Sequence, residues 1–218
     1  MKEHEKWWEA RLKDPELLKR FHGGLADVFR LYLKEHLRIT GYETILDCAA
    51  GPCKDGENLK GTGIDYFAID ITPLLVKDSK SRGFNIKQSS IEDIVYNDNE
   101  FDICYGRHIL EHLEYYEKAI SEMVRVAKKE IMIIFFRPPH DDPDICVLKR
   151  DLSGKLYHGV YDKAEIAKQK KQIGSDYYFQ NAYNKIKMEK FIIGLTGVKE
   201  IRWVNDNYIL HVLLGEIC

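Results

Sequence analysis

Two groups of residues in this sequence have the types and spacing to do chemistry, and they point to different reactions. His108-x-x-Glu111-His112, within "GRHILEHL" (106–113), has the spacing of a zinc helix, in which two imidazoles on one helical face hold the metal. The other group begins with Asp47 in "LDCAAGPC" (46–53), where an acid is followed by the small residues Ala49, Ala50 and Gly51. Small side chains let a backbone turn sharply and approach a ligand closely. Asp70, in "YFAID", follows Asp47 by 23 residues, near the ~20 expected for an acid that hydrogen-bonds ribose hydroxyls. The zinc pattern needs a third ligand further along a helix and leaves Asp70 without a role. The sequence is therefore read as holding a nucleoside above a sheet, with no metal.

Such a site needs strands that end together. From Glu43 onward short apolar runs alternate with helical stretches: "ETILDCA", "DYFAID", "FNIKQ", "FDICYG" and "IMIIFF" are five strand candidates. Between them lie "PLLVKDSKSRG" and "ILEHLEYYEKAISEMVRVAKK". The second predicts one long helix with an apolar stripe of Ile109, Leu110, Leu113, Ile120, Met123 and Val124. Strands separated by helices imply crossovers and a parallel sheet covered on both faces, and "IMIIFF", without polar alternation, suits its buried centre. At the end, "VKEIRWV" and "YILHVLL" flank Asn205-Asp206-Asn207 and predict an antiparallel hairpin, giving seven strands with the last reversed. The first forty residues read as helices, with Asp14 and Pro15 opening one and "LADVFRLYLKEHL" continuing another.

The bulk properties set bounds. A chain of 218 residues suffices for one well-buried domain, and 33 basic against 35 acidic side chains give a net charge of −2. That balance offers no global electrostatic case for nucleic acid. The start, "MKEHEKWWEARLKD", lacks the apolar core of a signal peptide, and no stretch approaches membrane-spanning length, so a cytoplasmic location is expected. The five cysteines form no C-x-x-C pair. Cys48 and Cys104 fall in apolar runs, where a thiol behaves as a small hydrophobe.

The strand-end motifs in this order resemble class I S-adenosylmethionine-dependent methyltransferases over about residues 40 to 140 plus the terminal hairpin. In that family the first loop is acid-x-Gly-x-Gly-x-Gly; here Ala49 and Cys53 replace two glycines and only Gly51 remains. The resemblance implies an α/β fold: a seven-stranded, mostly parallel, doubly wound sheet with strand 7 antiparallel, flanked by helices. It implies S-adenosylmethionine as cofactor, held by Asp47, Ala49, Gly51, Asp70, Ile71, Ser90, Ile91 and Arg107, with Ser90 and Ile91 in the adenine loop. "NEFDICYGRHILEHL" resembles the family's fourth strand and its succeeding helix, down to the Leu-Glu-His triplet. Methyl transfer is then an in-line displacement resting mainly on positioning. His108 and His140 are the candidate bases, should the nucleophile have to lose a proton. Trp7 and Trp8, and Arg137 in "FRPPHDDPD", are candidates for holding the acceptor, expected to be a small molecule. One domain is expected, divided into a helical cap (1–40), a cofactor core (41–139), a substrate-side insertion (140–190) and the closing hairpin (191–218). Two other readings stay open. A nicotinamide-dependent oxidoreductase would use the same acid but lacks G-x-G-x-x-G. A non-catalytic cofactor-binding partner subunit is suggested by Cys53, which could crowd the cofactor.

Overall fold

The computed structural model describes residues 28–142, 144–150, 155–160, 167–168 and 178–215. In chain order its strands are β1 (Thr44–Cys48), β2 (Asp65–Asp70), β3 (Asn85–Gln88), β4 (Phe101–Arg107), β5 (Ala127–Ile134), β6 (Ile145–Arg150), β7 (Lys155–Val160), β8 (Tyr178–Phe179), β9 (Val198–Val204) and β10 (Ile209–Leu214). The described helices are α1 (Val28–Thr40), α2 (Lys54–Leu59), α3 (Pro73–Ser81), α4 (Glu117–Val126) and α5 (Lys185–Ile193). Seven strands form one sheet in the order β3-β2-β1-β4-β5-β10-β9. Pairing is parallel from β3 to β5, and β10 runs antiparallel to both β5 and β9. This is the architecture the sequence predicts.

Side-chain alternation divides each strand between two apolar layers. Leu46, Cys48, Ile69, Cys104, Ile131 and Ile133 face a cluster shared with Ile120 and Met123 of α4 and Met188 and Ile192 of α5. Ile45, Ile103, Tyr105, Met132, Ile134 and Ile209 face the opposite cluster, closed by Leu33 and Leu37 of α1. Burial on both faces explains why these strands read as continuous apolar runs.

The long helix predicted over 109–129 is not one helix. A single 3-10 turn spans Leu110–His112, α4 begins at Glu117, and Ala127 already belongs to β5. The cause lies in competing partners for the backbone. The Tyr183 hydroxyl donates to the Leu110 carbonyl (2.6 Å), the Asn181 amide to the Glu111 carbonyl (2.8 Å), and Asn181 Nδ2 to the Leu113 carbonyl (2.7 Å). These carbonyls are therefore satisfied without the i+4 amides an α-helix would supply.

The segment expected as a loose insertion carries a three-stranded sheet in the order β7-β6-β8, which periodicity did not reveal. The helix opened by Asp14 and Pro15 lies outside the described residues. The terminal hairpin forms as expected: Asn205, Asp206 and Asn207 all have positive φ (51 to 67°), a conformation open to Asn and Asp. No helix among the described residues is long and apolar enough to cross a membrane.

Candidate functional site

β1 lies between β2 and β4, so the strand order reverses beside its carboxyl end, where open α/β sheets bind ligands. The loop leaving β1 is tightly wound. Ala49 and Ala50 both donate their amides to the Ile69 carbonyl (2.9 Å each), and Ala49, Gly51 and Cys53 all take positive φ (70, 53 and 53°). At Gly51 the constraint is φ itself, since an added Cβ would meet nothing within 4 Å. The Cys53 side chain is fully buried against Ala68, Val76 and Ile86. It packs in the core, which removes the crowding expected of it.

Asp70 ends β2 and is 6% exposed. One carboxylate oxygen accepts the Gly51 amide and the other the Thr72 amide, both at 2.8 Å. Burial pushes the Asp70 carboxyl up and these amides oppose that rise. The two amides fix the orientation of the carboxylate at the strand end. The loop after β3, which carries Ser90 and Ile91, is tied to the same corner: the Ser89 amide donates to the Asp70 carbonyl (3.1 Å). Ser90 Oγ accepts the Glu92 amide (3.1 Å), and the Ile91 side chain is buried in the core. Ile71 follows Asp70 and is half-buried.

Asp47 sits within a buried charge network that sequence motifs did not reveal. Its carboxyl accepts from the Tyr66 hydroxyl (2.6 Å), and nearby Asp55 bridges Arg30 of α1 and Arg107 of β4 (3.2 Å each). Burial and then Asp55 push the Asp47 carboxyl up to about 8. Gly56 permits this arrangement, because a Cβ there would stand 2.5 Å from the Tyr66 ring. Arg30, Asp55 and Tyr66 belong to no motif. The available signal was an acid in the first turn of the helix that follows a glycine loop.

At the end of β4, His108 has φ 52°, and its amide continues the strand pairing to the Ile134 carbonyl (2.8 Å). A left-handed non-glycine residue costs about 1–2 kcal/mol, a strain associated with functional corners. Its imidazole lies edge-on to Phe29 (6.4 Å) and Phe136 (5.7 Å), and Phe29 neighbours Tyr208 (6.3 Å). His108 and His112 thus do not share a helical face. Glu111 is buried, and one of its oxygens accepts the amides of Phe136 and Arg137, fastening the loop after β5 to the turn after β4. His112 Nδ1 bonds the Phe179 carbonyl (2.7 Å). The His140 backbone is bonded to Tyr183 and Lys185. Arg137 stands beside Glu111, and Trp7 and Trp8 lie outside the described residues.

Residues 46–135, the stretch that builds this corner, match the family described as Methyltransferase domain. Over that stretch the chain is similar to a methyltransferase domain. No curated protein matches it in sequence. Among solved structures, the fold is similar to the magnesium protoporphyrin IX methyltransferase of Synechocystis PCC 6803 with bound SAM, at 10% identity, TM-score 0.59 and 97% coverage of both chains. It is also similar to Phospholethanolamine N-methyltransferase 2 of Haemonchus contortus, at 15% identity and TM-score 0.51 over 73% of this chain. The present chain spans only 34% of that protein's length. It spans 38% of the cyclase SpnF, to which 43% of this chain is similar at 19% identity and TM-score 0.40. Across this stretch, Asp47, Ala49, Gly51, Asp70, Ile71, Ser90, Ile91 and Arg107 converge on one corner of the sheet. His108 joins them from the end of β4.

Proposed function

We propose that this chain transfers the methyl group of S-adenosylmethionine to a small organic acceptor by in-line displacement at the β1–β4 corner. The observation that carries the proposal is Asp70: a buried acid at the end of β2, aligned by two backbone amides where a ribose hydroxyl can donate to it. Gly51 and Ala49 bring the backbone near the nucleoside, and the Ser90–Ile91 loop bounds the adenine. Asp47 meets the cationic methionine end, whose positive charge favours the ionised carboxylate that burial disfavours. Asp55 orients Arg30 and Arg107 around the same end.

The sulfonium is a good leaving group, so catalysis consists chiefly of holding nucleophile, methyl carbon and sulfur in line, worth up to about 7–11 kcal/mol in favourable intramolecular cases. His108, flanked by Phe29 and Phe136, faces the reaction corner and is the base when the nucleophile carries a proton. The same aromatic walls support an acceptor with an apolar body, and Phe136 is 56% exposed and available to it. Arg137, Trp7, Trp8, His140 and the 140–190 segment make up the acceptor side. A reducing, cytoplasmic setting is supported by the free, buried thiols of Cys48, Cys53 and Cys104. Incubation with methyl-labelled S-adenosylmethionine and a fractionated cell extract tests this reading. Label should appear in the low-molecular-weight fraction and be lost with Asp70→Ala. Label confined to protein or nucleic acid would overturn the small acceptor, and no transfer to any fraction would overturn the activity.

A further inference from the structure

At the opposite end of the sheet from this corner lies a second cluster with no part in the chemistry above. Glu130 of β5 is fully buried, yet it carries a carboxylate on the face that otherwise holds Met132 and Ile134. Two histidines converge on it from separate elements. His36 Nε2, from α1, lies 3.0 Å from one carboxylate oxygen, and His211 Nδ1, from β10, lies 2.5 Å from the other. The imidazole rings are 4.8 Å apart, and one donor atom from each of the three residues lies within 4.8 Å of the others. Among the described residues this is the sole such group of potential metal ligands.

The geometry points to a zinc-class divalent cation site formed by His36, Glu130 and His211. Two imidazoles and one carboxylate are a zinc donor set, with bonds of about 2.0–2.2 Å that place tetrahedral donors roughly 3.3–3.5 Å apart. The observed separations bracket that value, so small side-chain rotations suffice to admit an ion. Two nitrogen donors disfavour Mg2+ and Ca2+, which take oxygen ligands. The outer contact expected of a metal-bound imidazole is also present: the Tyr32 hydroxyl lies 2.8 Å from His211 Nε2. When Nδ1 gives its lone pair to the ion, the ring proton resides on Nε2 and donates to that hydroxyl, so the imidazole stays neutral. The His36 side chain is 17% exposed and gives the ion a way in, whereas Glu130 and His211 are 1% and 6% exposed.

The position gives the ion a purpose. Glu130 stands four residues before Ile134, about 13 Å from the strand end where His108 is anchored. His36 lies on the same helix as Phe29 and Arg30. An ion joining α1 to β5 and β10 would fix the helix that carries Arg30 to the cofactor corner. Its role is structural, and no step of methyl transfer passes through it.

The test uses the full, untagged chain, stripped with chelator and titrated with Zn2+, then with Co2+ as a spectroscopic probe. One equivalent of Zn2+ should bind and raise the unfolding temperature, and Co2+ should give the visible absorption of a four-coordinate ion. His36→Ala should abolish both responses, and Tyr32→Phe should weaken Zn2+ binding about 10–100-fold while leaving the ligands in place. Glu130→Gln keeps the buried shape and should also abolish binding; if it does not fold, the partly exposed His36 decides alone. Failure to bind an equivalent would overturn the site. So would binding unchanged by His36→Ala, because other side chains would then be holding the metal. Neither result depends on whether the chain binds S-adenosylmethionine.

Discussion

Asp70 does two jobs with one carboxylate, and its removal should show both. The Asp70→Ala variant should bind S-adenosylhomocysteine at least about tenfold more weakly, because each lost hydrogen bond to a charged group is worth about 1.5–3 kcal/mol. It should also lose stability, since the Gly51 and Thr72 amides would then lack their acceptor. Asp70→Asn should lose affinity with a smaller drop in stability; calorimetry paired with urea unfolding separates the two effects. Asp47 gives a pH signature. Its folded-state pKa of about 8 lies above the ordinary 3.8, so between those values the native state binds more protons than the unfolded chain. Stability of the cofactor-free protein should therefore fall as pH rises from about 4 to 8. Asp47→Asn should remove that part of the slope, which urea midpoints across the range would show; parallel profiles for the two proteins would refute it. At this scale the sequence was legible where residues sit at strand ends in fixed intervals, as with Asp47, Gly51 and Asp70. It was not legible for Arg30, Asp55 and Tyr66, which meet only because α1, α2 and β2 pack around one corner.

Glu111 shows why a recognisable triplet was assigned the wrong kind of element. Its carboxylate reaches out of the 3-10 turn to the amides of Phe136 and Arg137, and its other oxygen finds no partner among the described residues. Glu111→Ala should cost about 2–4 kcal/mol, since the Phe136 and Arg137 amides lose the buried carboxylate that accepts them. Glu111→Gln keeps a carbonyl oxygen in the same place and should remain within about 1 kcal/mol of the parent, as read by denaturant unfolding. The apolar residues from Ile109 to Val124 do follow helical spacing. What interrupts the helix is Asn181 and Tyr183, some seventy residues away in sequence, and no local pattern encodes them. The start of β5 was hidden for a related reason. "AKKE" has no apolar run, and Glu130 is accommodated in the interior by His36 and His211, 94 and 81 residues distant.

For the whole molecule, the seven-stranded sheet was legible because its strands are buried on both faces and separated by helices long enough to cross over. The three-stranded sheet from β6, β7 and β8 was not, since its strands lack clean alternation and β8 is only two residues long, although "DLSG" (151–154) does carry a turn signal. A ligand that closes over the β1–β4 corner should stabilise the entire fold by mass action. At a hundredfold excess over its dissociation constant, S-adenosylhomocysteine should contribute about 2.7 kcal/mol, roughly 5–10 °C in Tm for a chain of this size. NAD at the same concentration should give no shift; a larger response to NAD would redirect the assignment to redox chemistry.

The reversed strand β10 fills the slot between β5 and β9, and its pairing partner on β5 is made long before it. Ile134 leaves the ribosome 75 residues ahead of Ile209, its partner. At 5–20 residues per second, the most apolar edge of the nascent sheet waits about 4–15 s for its cover. During that interval "IMII" presents unpaired amides and carbonyls to any other extended chain. Synthesis on a crowded ribosome is thus the moment when this protein is most prone to aggregate, and slower elongation after residue 134 should lower its soluble yield.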